Sequence, residues 1–148
     1  MLFFLDTASI KQIKFWKEIN LVDGVTTNPT LLSKEGFEPI DQLKKICNIV
    51  NGPVSAQVTE KKSEKMIKQA NHLKKISKNI VIKLPSTLEG FSAAKVLTKQ
   101  KIKTNITLGF DPSQIIAFAR LNVTYFSLIL GKTEDWGFSN LVSISETK

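Results

Sequence analysis

The chain has 148 residues, which is the length of one domain, and at 42% hydrophobic and 23% charged it holds enough apolar residues for a core and is not a disordered tail. One Cys and one His exclude a disulfide framework and a zinc site built from those ligands. The net charge is +8, yet Arg120 is the only arginine, and a nucleic-acid surface would be expected to use arginine's planar fork.

The chain opens on an apolar run, Leu2–Asp6, that meets an acid at once and has no basic segment before it, so it reads as a strand and not as a signal peptide. No run approaches the roughly 18 apolar residues of a membrane span. These features predict a cytoplasmic protein with Cys47 as a reduced thiol. An amphipathic stretch through Glu18 follows, with Ser9 as N-cap and Ile13, Trp16 and Ile19 as its apolar stripe. Gly24–Thr27 is a second strand, and Asn28-Pro29 breaks it and opens a short helix. Ile40–Val50 is a helix ended by Asn51-Gly52-Pro53. Val54–Val58 is strand three and Lys61–Lys78 its helix, with Met66, Ile67, Ala70, Leu73 and Ile76 on one side and most lysines on the other. Ile80–Leu84 is strand four, Thr87–Gln100 a helix, and Lys103–Leu108 strand five. Pro112–Arg120 is a helix capped by Asp111, Val123–Leu130 is strand six, and Phe138 begins another helix.

Strands that alternate with helices in this way predict a parallel α/β sheet. Neither Gly-x-Gly-x-x-Gly nor the full Gly-x-x-x-x-Gly-Lys-Ser/Thr pattern occurs, since Gly131-Lys132-Thr133 has Phe126 where that pattern needs glycine, which disfavours dinucleotide and Walker-type sites. Most of the lysines read as solvated helix faces. A small acidic or phosphorylated substrate is compatible with the charge.

Polar residues recur inside or at the ends of these strands: Asp6, then Thr26, Thr27 and Asn28, then Gln57, Lys83, Asn105 with Thr107, and Ser127. Ligands in parallel α/β folds bind beyond the C-terminal strand ends, where these residues would converge. Each also has a structural reading. Asp6 could cap the following helix, Asn28 could serve a turn, and Gln57, Asn105 and Thr107 could pair with one another. Lys83, in Ile80-Val81-Ile82-Lys83-Leu84-Pro85, either snorkels out of the strand end or is a desolvated nucleophile. Asn71, His72 and Cys47 read as structural or solvated.

The motifs FLDTA (Phe4–Ala8), GVTTNPTLL (Gly24–Leu32), VSAQV (Val54–Val58), IVIKLP (Ile80–Pro85) and KTNITL (Lys103–Leu108), with a looser LGKTEDWG (Leu130–Gly137), resemble the transaldolase family in order and spacing. They resemble most its short microbial branch, which includes the fructose-6-phosphate aldolases. The resemblance implies a TIM (β/α)8 barrel and, without cofactor or metal, Schiff-base transfer of a dihydroxyacetone unit between sugar phosphates in the pentose phosphate pathway. The alternatives are aldol cleavage of fructose 6-phosphate, or an inactive truncated homologue. By resemblance, Lys83 is the Schiff-base lysine and Asp6 the acid/base carboxylate. Gln57 stands where most transaldolases carry Glu, and with Thr107 it orders the catalytic water. Asn28, Thr27, Asn105 and Ser127 contact substrate, and Lys132 replaces a phosphate-binding arginine. Ile129 replaces an aromatic residue that is Tyr in the aldolase branch. Homo-oligomers occur in the short branch.

The family's barrel has eight βα units over roughly 200 residues or more. Residues 1–148 are therefore expected to form a single barrel domain lacking the last two units, an incomplete barrel whose strands one and six are open edges.

Overall fold

A computed structural model of the chain describes residues 1–110 and 112–129. In chain order the elements are β1 (Phe4–Asp6), α1 (Ile10–Glu18), β2 (Gly24–Thr26), α2 (Pro29–Lys34), α3 (Pro39–Ile49), β3 (Val54–Gln57), α4 (Ser63–Lys74), β4 (Ile80–Pro85), α5 (Leu88–Lys99), β5 (Thr104–Gly109), α6 (Pro112–Ala119) and β6 (Tyr125–Leu128). The six strands form one sheet in the order β1-β2-β3-β4-β5-β6, every neighbouring pair parallel. This is the expected α/β architecture, a barrel sheet with six strands in place. Asp111 as a cap, Lys132, the end of strand six and the helix from Phe138 lie outside the described residues.

Side-chain alternation sorts each strand into two faces. On β4, Ile80, Ile82 and Leu84 join the core beneath the helices, together with Val54 and Ala56 of β3 and Ile106 of β5. Ile46 of α3, Met66 and Ala70 of α4, and Ala93, Ala94 and Leu97 of α5 supply the helix side of that layer. Val81 is fully buried but belongs to the opposite face, which it shares with Lys83.

That opposite face is concave. The rings of Phe4 on β1 and Tyr125 on β6 meet edge to face with centroids 5.4 Å apart, although four strands separate them in the sheet. Phe4 also covers Gly24, where an added Cβ would fall 2.4 Å from the ring. The sheet is thus curled until its two outer strands touch through aromatic side chains.

Local chemistry explains most element ends. Asn28 caps α2, its Oδ1 accepting the Leu31 N–H at 2.9 Å, and Thr87 caps α5 by accepting the Gly90 N–H at 3.1 Å. Ser9 occupies the N-cap position of α1 without a side-chain cap bond, and its own N–H donates to Thr7 Oγ1. Strand β1 is shorter than the apolar run predicts, because Leu2 and Phe3 are exposed and only three residues pair with β2. Helix α4 also starts and stops inside its predicted bounds, at Ser63 and Lys74.

Cys47 lies half-buried on α3, in a hollow shared with Val50, Asn51, Ser77, Lys78 and Asn79. Burial pushes its thiol pKa up to about 11, partly opposed by a hydrogen bond with Ser77. His72 is exposed on α4, with Nδ1 2.8 Å from the Lys68 carbonyl. No helix among the described residues is long and apolar enough to cross a membrane.

Candidate functional site

The parallel strands carry their C-terminal ends to one rim of the concave face, where a cavity of about 810 Å³ opens. Asp6 of β1, Thr26 of β2, Asn28, Gln57 of β3, Lys83 of β4, Thr107 of β5 and Ser127 of β6 all line it. Register explains the convergence. Asp6 is paired with Thr26, Gln57 with Lys83, and Lys83 with Asn105, so inward-facing residues fall in successive layers across the sheet.

Lys83 is 8% exposed. Its Nζ has one hydrogen-bond acceptor within reach, the Thr27 carbonyl oxygen at 3.5 Å, and it forms no ion pair among the described residues. Desolvation lowers its pKa below the ordinary lysine value, and the negative charge of Asp6 partly restores it. The result is an amine that deprotonates more readily than a surface lysine and has an open cavity before it.

Asp6 is exposed at the end of β1 and accepts a 2.7 Å hydrogen bond from Thr26 Oγ1. Asn105 is 3% exposed and fixed on both sides of its amide. Its Nδ2 donates to Ser55 Oγ at 3.2 Å, and its Oδ1 accepts from Ser127 Oγ at 2.9 Å. Gln57 and Thr107 do not pair with Asn105, and neither makes a side-chain hydrogen bond among the described residues. Their polar ends remain available to a ligand or to water.

Among the expected substrate contacts, Asn28 and Ser127 line the cavity, and Asn105 lies in the layer beneath, held by Ser127. Thr27 stands apart. It is fully buried, its hydroxyl donates to the Ser55 carbonyl at 2.8 Å, and it meets Lys83 through its own carbonyl. Its neighbour Thr26 is the one on the cavity wall. Ser55 is the residue that sequence reasoning passed over, while Thr26 was noted at its strand end but not among the substrate contacts. Counting two positions back from Gln57 gives Ser55 as inward-facing, and pairing with Asp6 gives Thr26.

Leu108 follows Thr107 with φ of +60°, at the irregular register between β5 and β6. Its carbonyl accepts from Ser86 Oγ, and Ser86 Oγ in turn accepts from Gln114 Nε2 at 3.3 Å. This turn puts Leu108 on the cavity wall beside Leu128 and Ile129. Ile129 thus occupies the site with no hydroxyl to offer. Among the described residues, no group of three or more His, Cys, Asp or Glu side chains is placed to hold a metal ion.

Comparison with known proteins shows the family. The family described as Transaldolase/Fructose-6-phosphate aldolase matches residues 3–148. A "Probable transaldolase" of Methanococcus vannielii is 49% identical over 146 residues, covering 99% of this chain and 68% of the relative. A "Probable transaldolase" of Thermodesulfovibrio yellowstonii is 48% identical over 135 residues, covering 91% and 63%. A "Probable transaldolase 2" of Listeria monocytogenes is 47% identical over 148 residues, covering 100% and 68%. With its family match running almost end to end, the chain belongs to the transaldolase/fructose-6-phosphate aldolase family.

Proposed function

We propose that the chain carries the Schiff-base machinery of a transaldolase, acting on sugar phosphates. The observation that carries the reading is Lys83, a buried amine with a lowered pKa that faces a cavity and has no acidic partner in contact. In this reading neutral Lys83 Nζ attacks the C2 carbonyl of a ketose phosphate, and loss of water gives an iminium. Asp6 takes the proton of the C4 hydroxyl as the C3–C4 bond breaks, and the bonding electrons pass into the iminium to give an enamine. The aldose leaves, and the three-carbon dihydroxyacetone unit stays on Lys83. A second aldose phosphate then accepts it. Gln57 and Thr107, with unengaged polar ends, would orient water. Gln57 does so as an amide that transfers no proton.

A second reading, aldol cleavage without transfer, is favoured by Gln57 and opposed by Ile129, which supplies no hydroxyl. Lys132 would serve as a point charge for phosphate. The same proposal makes residues 1–148 a single cytoplasmic barrel domain to which two further βα units would complete the ring.

The test is borohydride reduction in the presence of fructose 6-phosphate, read by peptide mass. The expected product is a three-carbon adduct on Lys83, absent in Lys83→Met. Asp6→Asn should instead trap the uncleaved six-carbon sugar phosphate on Lys83, with turnover lower by roughly 10²–10⁴-fold. A label on another lysine, or none, overturns the reading. Release of free aldose with and without an acceptor separates transfer from cleavage.

A further inference from the structure

A second cavity, of about 440 Å³, opens at the opposite pole of the sheet, where the strands begin. Its wall is made by the second half of α5, the α5–β5 connection and the α6–β6 connection. These place Lys95, Lys99, Lys101, Lys103 and Arg120 around one hollow with no acidic residue in its lining. None of the five makes an ion pair among the described residues, where the two pairs formed are Lys44–Asp41 and Lys62–Glu89.

Basic residues near helix C-termini have an ordinary explanation, since they offset the helix dipole. The magnitudes decide against that as the full account. The ends of α5 and α6 contribute about half a negative elementary charge each. Five cations therefore leave an excess of about four positive charges at one hollow. The five side chains are exposed, so water screens their mutual repulsion, and the excess of positive charge makes the hollow attractive to an anion.

Lys101 adds an independent observation. Its φ is +58°, just past the end of α5, and the Ile102 N–H bonds back to the Leu97 carbonyl at 3.0 Å. This is the left-handed C′ position that glycine or asparagine usually fills. The equivalent position after α1 is Asn20 at φ of 57°, and the turn after α6 has Asn122 at φ of 54°. At α5 a long cationic side chain stands in that strained position, on the cavity wall. Thr124 is also there. Its Oγ1 accepts from the Thr104 N–H at 3.3 Å, which leaves the hydroxyl proton to donate outward.

We propose that this basic cavity binds a small anion bearing several phosphate groups, of the oligophosphate class. The volume suits a compact ligand. Its lining holds no aromatic residue, so there is no platform on which nucleic-acid bases would stack. The assignment is independent of the chemistry at Lys83.

The experiment is calorimetric titration of the full chain with inorganic tripolyphosphate at moderate salt. Saturable binding with a stoichiometry near one is expected. The triple variant Lys99→Gln/Lys101→Gln/Lys103→Gln should weaken it by at least about tenfold, the loss of a few charged contacts. A charge-matched control, Lys11→Gln/Lys14→Gln/Lys34→Gln on the exposed surface of α1 and α2, should change it less than about twofold, since none of these residues lines the hollow. Lys101→Gly should raise the melting temperature and still weaken binding, a combination that a purely structural lysine would not give. Absence of saturable binding overturns the proposal. Equal losses in both triple variants do so as well, as does binding that the first triple leaves intact. Tighter binding of a DNA oligonucleotide at equal phosphate concentration would replace the ligand class and so overturn it too.

Discussion

Lys83 is a charge-bearing group placed where charge is disfavoured, and that has a measurable sign. Its folded pKa lies below the ordinary 10.5 because burial outweighs the attraction of Asp6. Between the folded and unfolded values the unfolded chain binds more protons, so stability rises with pH through that window and levels off above 10.5. Below the folded pKa the penalty is present in full. Lys83→Met should therefore be more stable than the parent at neutral pH, with the advantage shrinking as pH climbs toward 10.5. Urea denaturation across a pH series checks this, and a methionine variant less stable at every pH would contradict it. Asp6, Gln57, Lys83 and Thr107 were legible in the sequence because a strand buried on both faces has no structural use for them. Thr27 was expected as a contact from the family resemblance alone. Which of two adjacent threonines faces the cavity depends on register with β1, and that is not visible in the run itself.

At the scale of elements, the joint between β4 and α5 is a tight one. Gly90, in the first turn of α5, sits so close to Pro85 that an added Cβ would fall 1.9 Å from its carbonyl oxygen. Gly90→Ala must push the start of α5 off the end of the strand that carries Lys83. The expected loss is about 1–3 kcal/mol, read from chemical denaturation, with a displaced pH profile for any Lys83-dependent reaction. Asn28 allows a cleaner separation. Asn28→Ala should lose about 1 kcal/mol with the cap, whereas Asn28→Ser should keep the cap and remove the amide from the cavity. Comparing the two stabilities shows whether Asn28 serves the helix. Comparing substrate affinities shows whether it also serves the site. Caps with a strong local signature, such as Asn28-Pro29, could be read from sequence. The unfilled cap at Ser9 could not, because its geometry is set by the hydrogen bond from its own N–H to Thr7.

For the whole molecule, the alternation of strands and helices gives the number and direction of the strands but not their curvature. Curvature is fixed by what fills the concave face, here Phe4 against Tyr125 at one end and the Ser55–Asn105–Ser127 chain across β3, β5 and β6. A double-mutant cycle on Phe4→Leu and Tyr125→Leu should show a coupling of about 0.5–1.5 kcal/mol between the two outer strands. A coupling of zero would mean that the sheet does not curl this far in solution. The sequence displays two aromatic residues more than a hundred positions apart, with nothing to mark them as neighbours.

Cys47 has a use that follows from its surroundings. Raising a thiol from 9.0 to about 11 cuts its thiolate fraction about a hundredfold near neutral pH, and only the thiolate reacts with disulfide reagents. As the single cysteine of the chain, it reports opening of the α3 region without any engineered label. The rate of its modification by an aromatic disulfide, followed against denaturant, clocks how often that side of the molecule breathes.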